Sequence, residues 1–293
     1  MQEYFLNLTD LTMKMKTEQE IVFSEQLYPF LEQKSYKKTD WDLEIKSCEQ
    51  LPNMQEGGYR TAISCYQYSK DVYNIFHYIK NGLPPFAVVE IEANGTVRLL
   101  YHLEYAHLFR GGSGVFNRIG LEMIMLLHKR ILLHASFVKV EGSGILFSAP
   151  SGTGKSTQAN LWKKRKHAEI INGDRAALAK TKDGVMAWGI PYAGTSGIYR
   201  NERARVSGIV VLRQAKENRI WRIDSMQAFR FLYPEVTTHH WEAQFVEQVT
   251  NILLQIIDEV PVFLLECLPE EHAVELVYET FKEGGLFYGT EDA

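Results

Sequence analysis

The chain has 293 residues, 45% of them hydrophobic and 23% charged, with a formal net charge of -4. That balance is ordinary for a globular protein and gives no push toward nucleic acid or an anionic membrane. Its three cysteines, Cys48, Cys65 and Cys267, are scattered without disulfide or metal spacing, and read as reduced thiols of a cytoplasmic protein.

The opening Met1-Gln2-Glu3-Tyr4-Phe5 has neither the basic nor the apolar region of a signal peptide. Residues 1 to about 110 read as short strands and turns. Tyr4 to Met15, Trp41-Asp42-Leu43-Glu44-Ile45 and Tyr59 to Tyr66 alternate, and Glu56-Gly57-Gly58, Asn81-Gly82, Pro84-Pro85 and Asn94-Gly95 mark turns. Ala87 to Ile91 and Val97 to Tyr101 flank Asn94-Gly95 as the clearest hairpin. Tyr59, Tyr66, Tyr68, Tyr73, Phe76 and Tyr78 make this half rich in aromatics, for which sheet packing is a simpler account than a ligand surface. Gly111-Gly112-Ser113-Gly114 is the best boundary, so the expected domains are a β-rich one over 1–117, a candidate acceptor-binding domain, and a second over 118–293.

Val115 to Arg130 carries a helical apolar stripe at Leu121, Ile124, Met125 and His128. Its apolar core, Ile124-Met125-Leu126-Leu127, stops at His128-Lys129-Arg130, too short to cross a bilayer. Ile131 to Val140 reads as a strand, and the turn at Glu141-Gly142-Ser143-Gly144 sends the chain back as Gly144-Ile145-Leu146-Phe147. There follows Ser148-Ala149-Pro150-Ser151-Gly152-Thr153-Gly154-Lys155-Ser156-Thr157 and then a helix-forming run from Gln158.

Buried strand, Gly-rich turn and helix N-terminus are the context a phosphate-binding P-loop needs. Turn amides and the helix dipole attract an anion, and glycines let the backbone approach it. Residues 151–157 (Ser151, Gly152, Thr153, Gly154, Lys155, Ser156 and Thr157) are the expected nucleotide contacts. Lys155 is expected against the β- and γ-phosphates, as an exposed cation with little packing, and the Ser156 hydroxyl on Mg²⁺. Ala149 stands where the usual pattern has its first glycine.

Nineteen residues beyond Lys155, Asp174 follows the short apolar strand around Ile170-Ile171. A helix, a turn and a strand fill that interval, returning Asp174 to the same sheet edge, within reach of a Mg²⁺ on Ser156. Gly184 to Gly189 and Val206 to Leu212 read as strands, and the intervening Pro191 to Arg203 is either an active-site loop or a plain surface loop. A helix over Trp241–Ile257, a strand over Val260–Leu265 and a helix over Glu270–Lys282 complete the pattern. Lys163-Lys164-Arg165-Lys166 reads as cations at a helix C-terminus rather than a nucleic-acid patch. His239, His240 and His272 lack metal-ligand spacing and are expected at the surface.

Three segments carry a resemblance: Leu133-His134-Ala135-Ser136, Gly144 to Thr157, and Ile171-Asn172-Gly173-Asp174-Arg175. With them, residues from about 118 to 293 resemble the HPr kinase/phosphorylase and phosphoenolpyruvate carboxykinase superfamily. The first 110 residues do not visibly match the amino-terminal domain of HPr kinases. The resemblance implies an α/β fold with an HPr-kinase-like P-loop core and ATP and Mg²⁺ as cofactors, and it leaves a homo-oligomer open. It implies phosphoryl transfer to a hydroxyl acceptor: a peptide or protein serine, or a small molecule. Lys155 and Asp174 would be catalytic, with His134 beside the loop facing phosphate or acceptor. Arg175, Arg200 and Glu202 are further candidate contacts. The superfamily usually has two adjacent acids where this chain has Gly173-Asp174, and the absent one is the residue proposed to help deprotonate the acceptor. Two alternatives stay open: a conventional P-loop small-molecule kinase, and a nucleotide-binding regulator without phosphotransfer.

Overall fold

The computed structural model describes residues 1–25, 27–32, 38–69, 72–192 and 194–289. Among them the chain builds two large sheets and six α-helices, a mixed α/β architecture. It divides into two units, Met1–Leu127 and His128–Ala293. No helix among the described residues is long and apolar enough to cross a membrane.

Alternating sequence in the first unit produces β1 (Gln2–Leu8), β2 (Leu11–Thr17), β3 (Leu31–Glu32), β4 (Trp41–Cys48), β5 (Tyr59–Arg60), β6 (Ser64–Ser69), β7 (Val72–His77), β8 (Ala87–Glu92) and β9 (Thr96–His102). They form one sheet in the order β3-β1-β2-β4-β9-β8-β7-β6-β5. The segment Tyr59–Tyr66, expected as one strand, is split between β5 and β6. The helix expected over 115–130 is also broken, into α1 (Gly112–Phe116) and α2 (Leu121–Leu127). Gly120 lies between them at φ +67, and a Cβ there would press against Ile75 Cδ1 at 2.5 Å. Leu121, Ile124 and Met125 of the stripe lie on α2, and a left-handed glycine just before them interrupts helical hydrogen bonding between α1 and α2.

His77 closes β7, almost fully buried. Its Nε2–H donates to the Arg118 carbonyl at 2.9 Å, leaving Nδ1 to accept from the Ser64 hydroxyl at 3.2 Å. Burial pushes its pKa down from 6.5 to about 4, against the opposing Arg118 hydrogen bond. Between those values the unfolded chain binds a proton that the folded chain does not. Stability is therefore full above the unfolded value and falls as the pH drops toward the folded one. The loss is on the order of 3 kcal/mol. Hydrogen exchange across β6 and β7 at pH 7.5 and 4.5 is expected to show it in the wild type and not in His77→Gln. Equal losses in both proteins would clear His77.

The second unit contains β10 (Ile131–Val140), β11 (Ser143–Ser148), α3 (Lys155–Lys166), β12 (Glu169–Asn172), β13 (Arg175–Thr181), β14 (Gly184–Gly189), β15 (Arg203–Gln214), β16 (Arg219–Arg222), α4 (Ser225–Leu232), α5 (Ala243–Glu259), β17 (Val262–Cys267) and α6 (Glu271–Glu283). β10 and β11 are a hairpin whose two turn residues, Glu141 and Gly142, have φ +49 and +74, the mirror-image turn that suits strand twist. β11 pairs antiparallel with β10 and parallel with β15, while β10, β13, β14 and β15 pair in sequence. The pairings thus close a circuit through β11. β17 runs parallel to β15, so β11, β15 and β17 end at one edge.

Trp162 on α3 and Phe281 on α6 are fully buried over β11 and β17, and the Trp162 ring lies 5.8 Å from Phe147. The basic run at the end of α3 pairs across to α6, Lys164 with Glu271 at 2.9 Å and Lys166 with Glu275 at 2.6 Å. His239 is a correction to the surface expectation. It is buried between Trp241 and Phe245, with ring centroids 4.7 and 4.5 Å away, whereas His240 is exposed.

Candidate functional site

β11 is buried along its whole length and delivers the chain into the turn 149–154, with Gly154 as the N-cap of α3. Gly152 and Gly154 adopt φ +81 and +123, and a Cβ on either would meet nothing within 4 Å. Glycine is required there by backbone conformation, and the space beside it is open. Ala149 has no such φ and is buried, which is why a methyl is accepted at the first position of the motif.

Lys155 departs from expectation. It is 7% exposed, and its Nζ donates to the carbonyls of Ala149 at 2.7 Å and Pro150 at 3.3 Å. Its stem packs into the fold and its ammonium ties the turn to the helix it precedes. Burial pushes its pKa down, while the nearby carboxylates of Glu235 and Asp174 work the other way. Ser156 and Thr157, in the first turn of α3, are exposed, as are Ser151 and Gly152.

Asp174 sits in the two-residue turn between β12 and β13. Fully buried Asn172 fixes that turn: its Oδ1 accepts from the amides of Asp174 and Arg175 at 2.9 and 3.0 Å. Its Nδ2 donates to the carbonyls of Ile190 and Tyr192, fastening the following loop beneath. Gly194, at φ +52, lies so close to the Asp174 carboxylate that a Cβ would come within 2.5 Å of it. At Gly173, a Cβ would collide with Ser196 Oγ. The place where an acidic side chain would start is taken by the 191–202 loop. Ala193 of that loop lies outside the described residues.

His134 on β10 faces the same turn. Its Nδ1 meets Glu235 Oε2 at 2.8 Å, and its Nε2 lies 3.7 Å from Asp174 Oδ1. A carboxylate oxygen only accepts, so the proton sits on Nδ1 and Nε2 turns toward Asp174. Arg175 Nε lies 3.5 Å from Asp174 Oδ2, its Nη1 donates to Thr237 Oγ1 at 2.9 Å, and its guanidinium stands 4.8 Å over the Tyr192 ring.

Lys155, Asp174, His134 and Arg175 therefore come together. Arg200 and Glu202 join a different group: Arg200 pairs with Glu169 at 2.8 Å and Glu202 at 3.6 Å, and Glu202 with Lys139 at 3.8 Å. Lys139 lies five residues along β10 from His134, about 17 Å at strand rise.

Sequence reasoning missed Glu235. Asp224, whose side chain caps α4 by accepting from the Gln227 amide, marks that helix start locally. Nothing local says that the turn after α4 meets a histidine 101 residues earlier. A cavity of about 610 Å³ joins Ala149–Thr153 to Arg230, Phe231 and Glu235. Arg213 at its rim is paired with Glu266 at 3.2 Å, but Arg230 has no ionic or hydrogen-bond partner among the described residues.

No cluster of three or more His, Cys, Asp or Glu that could hold a metal occurs among the described residues. A magnesium ion carried by phosphates asks less, one or two carboxylates and a hydroxyl. Asp174, part-exposed and engaged among the described residues by long ion pairs alone, and exposed Ser156 are of the kind that requirement names.

No family model and no curated protein matches the chain. Among solved structures it is similar to the Hpr(Ser) kinase/phosphatase from Coxiella burnetii, with 14% identity over 53% of this chain and 98% of that one, and a TM-score of 0.32. The likeness is a distant structural one.

Proposed function

We propose that the chain is an ATP- and Mg²⁺-dependent kinase that transfers the γ-phosphoryl group to a hydroxyl acceptor. What supports this is the convergence on one sheet edge of the glycine turn with buried Lys155, the Asp174 carboxylate and the His134–Glu235 pair. The turn amides and Lys155 would hold the phosphates and stabilise charge on the transferring group. Ser156 and Asp174 would hold Mg²⁺, which supplies further neutralisation of that charge. Glu235 keeps the His134 proton on Nδ1 and so leaves Nε2 to take one from the acceptor. That arrangement supplies a base although position 173 is glycine. The acceptor would enter the cavity beside Glu235, where Arg230 offers an unspent cation.

The first test is turnover: ADP release from ATP should rise when a hydroxyl acceptor is supplied. Asp174→Asn keeps the side-chain shape and removes a charged oxygen ligand. It is expected to weaken ATP binding about tenfold with Mg²⁺ present, and little without it. Equal loss under both conditions would place Asp174 away from the metal.

A second reading, a nucleotide-binding regulator, draws on Ser196 filling the position of the absent acid. It calls for tight ATP binding with no acceptor-stimulated turnover.

A further inference from the structure

The glycine turn borders a second cavity of about 440 Å³, which shares Gly152, Thr153, Leu212 and Gln214 with the first but is not lined by Glu235. Gly154, Thr157 and Gln158 form one wall, and Cys267, Leu268 and Pro269, at the end of β17, form the other. In sheets of this kind ligands lie outside the carboxyl ends of parallel strands, which here are β11, β15 and β17.

Gln158 is the unusual wall residue. It is 2% exposed, and its Nε2 donates to Cys267 Sγ at 3.6 Å. Its Oε1 is buried without a hydrogen-bond partner among the described residues. An unmet buried acceptor is destabilising until something donates to it. The last torsion of a glutamine is soft, so the carboxamide can turn its oxygen toward the cavity.

We infer that this cavity is the nucleobase pocket and that Gln158 reads the base; the assignment rests on the nucleotide reading of the turn. The polarity of the site agrees. Lys155, Asp174 and His134 mark the γ-phosphate end, so the chain of phosphates runs past Thr157 toward the β17 wall. Leu268, Pro269 and the Cys267 sulfur offer an apolar surface for a flat ring. Gln158 Oε1 accepts from an exocyclic amine, as on adenine. A 6-oxo base can be met only with the carboxamide turned the other way, Nε2–H toward the base, which returns Oε1 to a buried place without a donor.

Binding of ATP, inosine triphosphate and inorganic tripolyphosphate to the full chain tests this. The wild type is expected to bind ATP about tenfold more tightly than inosine triphosphate. Gln158→Met, close in volume and without the acceptor, should erase that preference. It should bind tripolyphosphate as the wild type does, which also reports an intact turn. Equal affinity for the two nucleotides in the wild type, or a preference that survives in Gln158→Met, overturns the assignment of Gln158. Failure of all three ligands to bind the wild type overturns the phosphate-binding reading itself, and the base pocket with it.

Discussion

Lys155→Met is expected to lower phosphoryl transfer roughly a thousandfold, the scale on which one preorganised charge partner of a transition state acts. The choice of methionine follows from the buried stem. Alanine would remove packing as well as charge, at a cost of about 2–3 kcal/mol for a side chain of this length, and a lost fold would be mistaken for lost chemistry. Methionine keeps the stem and removes the ammonium that holds the carbonyls of Ala149 and Pro150. Initial rates at saturating ATP, with thermal unfolding as a control, decide the matter. A variant within tenfold of the wild type would sink the kinase reading.

His134→Gln is the second large effect. Glutamine can still donate to Glu235 but cannot take a proton at the position of Nε2. A general base contributes roughly 10²–10⁴-fold, so kcat should fall by at least two orders of magnitude. The pH profile carries the sharper test. A base works only when unprotonated, so wild-type kcat climbs along an acidic limb that His134→Gln should lack. Glu202→Gln serves as the control, because Glu202 is bound to Lys139 and Arg200 away from the reacting end. Its profile should overlay the wild type. If all three profiles superimpose, His134 is not the base.

The strand, turn and helix that carry Lys155 were legible because every residue involved is a neighbour in sequence. Strand burial, glycine φ and helix capping are local properties. Asp174 was legible for a related reason: one helix, one turn and one strand fix where it returns. Glu235 was not, since its meeting with His134 depends on how α4 lies over the sheet. Ser196 was not either, because no residue near Gly173 announces that a loop will claim its side-chain space. The broken helix failed differently. Its apolar stripe begins only after Gly120, and the close approach of Ile75 explains why that position carries no side chain. The kinase expectation came from resemblance; spacing alone pointed to a phosphate-binding turn.

The closed circuit of strands through β11 bears on how the protein is made. One edge of β11 is satisfied by its hairpin partner as soon as both strands leave the ribosome. The other waits for β15, where Ser143 pairs with Arg205 and Ser148 with Val211. Joining distant segments is paid for in loop entropy before any contact returns it. His134 waits longer still, for Glu235. At about 5–20 residues per second, synthesis from the glycine turn to that glutamate takes several seconds. A nascent chain therefore carries its glycine turn for that time without the His134–Glu235 pair that the finished sheet sets beside it.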